Sequence, residues 1–206
     1  MKREELIFEI VKIEWDMFQR VHNTGGRASC QDDPDTFFRM RMSQWAVYSD
    51  DLLKSYRKDL EDAWNEGRNF LFEKYGGMMK NTFPEEYEEI RDILPAVSDH
   101  ARAVIDELAA IHVEWDREFA QKYPHIRENG RLFNSRDDSA WGGVSSETYF
   151  REEAATYSER TLEFLEKEMK EAKKNGENLL SDMIACEVAF YGYKSLDDAE
   201  KTLLDS

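Results

Sequence analysis

Between two helix-like segments runs "VHNTGGRASCQDDPDTFF", Val21 to Phe38. Links between helices in a bundle usually take about 2–8 residues; this one is longer and chemically crowded. Asn23, Gly25 and Gly26 can turn successive backbone N–H groups toward one concavity, which favours an anion. Arg27 adds a planar fork of donors suited to a carboxylate or phosphate, and Ser29 adds a hydroxyl. Asp32 and Asp33 bring negative charge, although Asp33, just ahead of Pro34, reads as a helix cap. The stretch therefore offers both signs, as a zwitterionic ligand or a magnesium–phosphate pair needs. The competing reading is an Arg27–Asp32 pair that simply closes the loop. Cys30 lies ahead of a helix N-terminus, where a thiol pKa falls, and His22 is near enough in sequence to act as its base. No cysteine-enzyme signature accompanies them.

Glu14 is the second candidate. At 100° per residue it falls within the apolar stripe of Ile7, Ile10, Phe18 and Val21. A carboxylate there must be paired, hydrogen-bonded or protonated, with Arg27, Arg39 and Arg41 as partners within reach. A structural ion pair and a tuned carboxylate lining a cavity both satisfy that demand. Arg41 and Gln44, about one helical turn apart, can close the same region. The catalytic candidates are thus Glu14, His22, Cys30 and Asp32. The ligand-binding candidates are Asn23, Gly25, Gly26, Arg27, Ser29, Arg41 and Gln44.

Several classes of chemistry find no support. None of His22, His100, His112 and His125 has a glutamate three residues before it, as di-metal carboxylate bundles require. There is no CxxC pair for zinc, so no metal is expected. No Walker loop, dinucleotide fingerprint or GxSxG occurs, and no cofactor is implied. The chain carries 44 acidic and 28 basic side chains, a formal charge of -16. That field repels phosphate backbones and anionic membrane surfaces, so neither nucleic acid nor membrane is an expected partner. The charged start "MKREELIFEI" lacks the apolar run of a signal peptide. With only Cys30 and Cys186, free thiols in a reducing cytoplasm are expected.

The elements that must position these residues are helices. Apolar residues recur at helical spacing over Arg3–Val21. A long helix is expected from Pro34 to about Glu66, with Gly67 past its end. Asn69 caps a third helix that Gly76-Gly77 interrupts. In "TFPEE", Thr82 and Glu85 have capping-box spacing and open a short helix toward Leu94. Ser98 caps another long helix that ends near Lys122. Further helices are expected over Thr148–Lys174, Leu179–Tyr193 and "LDDAEKTLL". Alternating strand patterns are absent.

The chain also echoes itself. "VKIEWDMFQ" returns as "IHVEWDREF", "GGRASCQDD" as "NGRLFNSRDD", and "TFFR" as "TYFR". "YSDDLL" returns as "YSERTL", and "GRNFL" as "GENLL". The echoes keep their order, with offsets of about 100 to 112 residues, as an old internal duplication leaves them. The expected fold is a single all-α domain over residues 1–206, a helical bundle of two sequence-related halves (about 3–80 and 100–193) around a pseudo-twofold axis.

The block "EWDMFQRVHNTGGRASCQDD", followed by "RMSQW", "EKYGGMM" and "YGYKS", resembles domain of unknown function family 4125 over nearly the whole chain. The resemblance implies a bacterial protein without an established activity. Family members joined to a nucleotidyltransferase-like domain suggest an accessory or substrate-recognition role. No catalytic residues carry over. Two readings stand: a helical domain, catalytic or not, that binds a small polar or anionic ligand at the Asn23–Asp33 loop, or a non-catalytic interaction module for a nucleotidyltransferase-like partner. An unfilled pocket with unpaired donors favours the first; a closed Arg27–Asp32 network favours the second.

Overall fold

The computed structural model describes residues 2–22, 26–128, 130–135, 138 and 143–205. It is all-α, with no strand among the described residues. Helix α1 (Arg3–Phe18) buries Leu6, Ile7, Ile10, Val11, Met17 and Phe18 on one stripe, with Glu14 among them. After the first polar stretch come α2 (Pro34–Ala46) and α3 (Asp50–Asn65). Asp33 accepts a bond from the Thr36 N–H at 3.0 Å, and Pro34 fills the first helical position, as their order predicts. Helices α4 (Phe70–Thr82) and α5 (Pro84–Ile90) complete the first half.

The second half starts with the long α6 (Asp99–Lys122), capped by Ser98. A short α7 (Pro124–Arg127) leads into the second polar stretch. Then follow α8 (Ser146–Ala154), α9 (Glu159–Asn175), α10 (Leu179–Phe190) and α11 (Leu196–Leu204).

Three expectations need correction. The long helices expected over 34–66 and 148–174 are each two helices, broken at Ser49 and at Ser158. Each serine turns its hydroxyl onto the N–H three residues on, capping a new helix. Gly76-Gly77 does not interrupt α4. A Cβ at Gly76 would stand 3.0 Å from Leu94 and 3.1 Å from Ile90, so this glycine lets the segment after α4 pack close against it. Thr82 is not a cap. It ends α4 with its hydroxyl on the Met78 carbonyl, while Phe83 and Pro84 open α5.

Packing is regular. Helix α1 lies against α2, α3 and α4, and α6 lies against α8, α9 and α10. Across the two groups α2 meets α10, α4 meets α8, and α3 meets α9. One cluster of buried apolar residues runs from Leu6 through Trp45, Leu60 and Leu108 to Leu180. Asn69 and Asn178 stitch the groups internally. Each caps its own helix and donates its amide to a carbonyl of the central helix, Met17 for Asn69 and Trp115 for Asn178.

Candidate functional site

The interior of this bundle holds a charged node. Glu14, on α1, is fully buried. Arg41, on α2, meets it with two donors, its Nε at 2.8 Å and its Nη2 on the other oxygen. The Tyr56 hydroxyl donates to the same carboxylate at 2.9 Å and the Trp45 indole at 3.2 Å. Trp45 and Tyr56 stack with ring centroids 4.2 Å apart, which fixes both donors. Of the three arginines expected as partners, Arg41 is the one that reaches Glu14. Arg39 lies over the Tyr191 ring instead, and Arg27 is engaged on the surface.

Arg41 continues the node toward α8. Its Nη1 donates to both oxygens of Glu153, at 2.9 and 3.0 Å. Lys74 from α4 reaches Glu153 at 2.5 Å, and Gln44 and the Tyr157 hydroxyl complete its shell. Two carboxylates and two cations therefore cancel in a dry interior, where any one alone would be costly. Burial works to raise the Glu153 pKa, but Arg41 and Lys74 outweigh it and hold the carboxyl well below its usual range. Burial raises Tyr56 and Tyr157 well above their ordinary values, so both are fixed as neutral donors.

The outer edge of this node is the wall of a cavity of about 210 Å3. Arg41, Gln44, Glu153 and Tyr157 form its polar floor. Trp115, Phe150, Leu165, Met169, Leu180 and Met183 make the rest mainly apolar. A second cavity of about 210 Å3 lies on the α4 side, lined by Phe18, Cys30, Phe37, Lys74 and Tyr75 among others. Met40, Arg41, Arg131 and Tyr149 border both cavities. Arg131 stands at this junction with its guanidinium 4.9 Å from the Tyr149 ring centroid. Its backbone is held in place: Arg127 donates to its carbonyl, and the next carbonyl, Leu132, accepts the Ser146 N–H at 2.7 Å.

His112 and Ser146 also face the first cavity, with Nε2 and Oγ 3.0 Å apart. Burial lowers the His112 pKa to about 4, despite Asp116 one turn on, so the ring is neutral at pH 7. A serine–histidine pair invites comparison with acyl transfer, which also needs free donors for an oxyanion. The N–H groups that open α8 are already spent: Ser146 on Leu132, Glu147 on Phe133, Thr148 on the Ser145 hydroxyl. The start of α8 therefore supplies no oxyanion donor beside the pair.

The structure separates the sequence candidates into three sets. Arg41 and Gln44 are in the node and line the first cavity, and Cys30 shares the second with Arg41. Arg27 turns away from both, its Nε on Asp32 at 2.7 Å and its Nη2 on the Gln19 side chain and the Gln31 carbonyl. Gly26, Ser29, His22 and Asp32 are exposed, and neither cavity is lined by them. Asn23 and Gly25 lie outside the described residues. No hydrogen bond joins His22 to Cys30 among the described residues, and Cys30 and Cys186 are both free thiols. Among the described residues no group of three His, Cys, Asp or Glu side chains could hold a metal ion, and no helix is long and apolar enough to cross a membrane.

Lys74, Glu153, His112 and Glu187 were not singled out from sequence. A signal for Glu153 did exist: in the "TFFR"/"TYFR" echo, Glu153 stands where Arg41 stands in the first copy. Neither the curated proteins nor the solved structures include a match to this chain. Residues 4–201 match the family model described as Protein of unknown function (DUF4125), and the chain belongs to that family.

Proposed function

We propose that this chain is a helical small-molecule-binding domain whose site is the cavity between α2, α6, α8, α9 and α10. The observation that carries this reading is the join between the buried node and the cavity. A rigid, charge-balanced floor meets a mainly apolar chamber, which is the usual composition of a ligand site. An apolar cavity of about 150 Å3 accommodates benzene, so this one suits a ligand of roughly ten heavy atoms. The Asn23–Asp33 loop then supports the fold. Arg27 closes it with Asp32, and its tail borders the second cavity at Cys30.

The same reading takes the two halves as copies of one four-helix unit. Their matching packing partners and the paired Asn69 and Asn178 stitches support it. The Arg41–Glu153 contact then joins equivalent positions across the junction. The two free thiols and the -16 charge support a cytoplasmic setting.

The test is a thermal-shift screen of amino acids, amines, carboxylates, nucleotides and divalent metals, because a ligand that binds only the folded state raises its melting temperature. Methyl-labelled methionine spectra then locate each hit. The expected result is that Met40, Met169 and Met183 shift while Met79 does not. Hits that move no cavity methionine count against the proposal.

A further inference from the structure

The charges of the first cavity, the one floored by Arg41 and Glu153, can be balanced one by one. Arg41 is committed to Glu14 and Glu153, and Glu153 is further closed by Lys74. Two charged groups on the wall remain. Glu187, on α10, shares a face with Leu180 and Met183 and is half-buried against the chamber. Among the described residues no cation or hydrogen-bond donor reaches its carboxylate. Burial alone raises its pKa, the mark of a carboxylate without a partner. Arg131, at the junction of the two cavities, makes one hydrogen bond, to the Val144 carbonyl at 3.1 Å, and no ion pair among the described residues. Most of its donors are unspent.

We infer that the cavity takes a small zwitterion with an apolar body, its cationic group against Glu187 and its anionic group against Arg131. The inference rests on the cavity reading above and goes beyond it by naming the ligand's chemistry. Glu187, half-buried and without a partner, loses hydration that a complementary cation restores, and Arg131, exposed at the edge of the cavity, keeps donors free for an anion. The aromatic and methionine walls between them match a hydrocarbon body. Arg131 also meets the geometric demand of a carboxylate, which it can hold with two parallel donors. α-Amino acids with apolar side chains and ω-amino acids share this chemistry and differ in the separation of their charges.

The experiment is calorimetric titration of the full chain with L-leucine, L-phenylalanine and 6-aminohexanoate. Alongside these run the single-charge analogues 4-methylpentanoate and 3-methylbutylamine and the neutral 3-methylbutanol, with methionine-methyl spectra to report the site. A zwitterion is expected to bind about tenfold or more tightly than its single-charge analogues. Glu187→Gln should abolish that advantage and leave 4-methylpentanoate binding unchanged. Arg131→Gln should abolish it too, leaving 3-methylbutylamine unchanged. Leucine and 6-aminohexanoate, compared directly, assign the α or ω class. If 3-methylbutanol shifts the cavity methyls as tightly as any zwitterion, the inference fails and the cavity reading stands. If no compound in the set moves those methyls, both fail.

Discussion

Arg27 and Arg131 hold matching places in two echoing polar stretches, and the structure uses them in opposite ways. Arg27 folds back on its own loop, spending its donors on Asp32, Gln19 and Gln31. Arg131 has no carboxylate partner among the described residues and borders both cavities. An acid that echoes the first loop, Asp138, is available in sequence. Yet Asp138 is fully buried and committed to the Ser145 N–H at 2.9 Å and the Thr148 hydroxyl at 2.5 Å. Asp137, which stands in the place of Asp32, lies outside the described residues. The lesson is that echoed residues need not make echoed contacts. Arg27 closes the first stretch, and Arg131 borders both cavities.

The strongest perturbation removes the platform under both stretches. Arg41→Ala leaves Glu14 a buried carboxylate without a cation and Glu153 with Lys74 alone, so a loss of about 3–5 kcal/mol is expected in chemical denaturation. An unfolding midpoint close to wild type would mean that the node is not the keystone of the interior. Next in size, Arg131→Gln should cost ligand affinity about tenfold, roughly 1.4 kcal/mol, while the melting temperature stays near wild type. A variant that melts early and binds normally would assign Arg131 a bracing role like that of Arg27.

A third effect is read by pH. His112 titrates near 4 in the folded chain against an ordinary 6.5. The unfolded chain therefore binds the extra proton between those values, and stability falls as pH drops from about 6.5 to about 4. His112→Gln should flatten that part of the melting-temperature profile relative to wild type. Superimposable profiles would show that the cavity leaves this ring solvated. The smallest effect belongs to Arg27→Ala. Its ion pair is exposed, with side chains 47% and 66% accessible, so at most about 1 kcal/mol is at stake.

Much of this was legible in the sequence. Asp33-Pro34, Asn69 and Ser98 announced their helices, because a cap acts through neighbours three residues away. Glu14 could be placed in the interior from helical spacing, but its choice of Arg41 over Arg27 and Arg39 depends on how α1 and α2 cross. The breaks at Ser49 and Ser158 escaped because neither has a glycine or proline beside it. Their sign was the repeated Tyr-Ser-acid stretch, in which the serine is an N-cap. Glu187 and Arg131 carried no local sign at all. Their place on one cavity follows from tertiary packing, α10 against α2 and α6 for Glu187 and the polar stretch before α8 for Arg131, which sequence periodicity does not record.

The central claim, that the interior chamber and not the first polar loop is the binding site, is most directly tested by titrating one hit into two variants. Met183→Trp places an indole in the cavity floored by Arg41 and Glu153, and Arg27→Ala opens the first loop's closing pair. The expected result is affinity reduced about tenfold or more by Met183→Trp and unchanged within about twofold by Arg27→Ala. Full binding to Met183→Trp, with binding lost in a folded Arg27→Ala, would return the site to the loop.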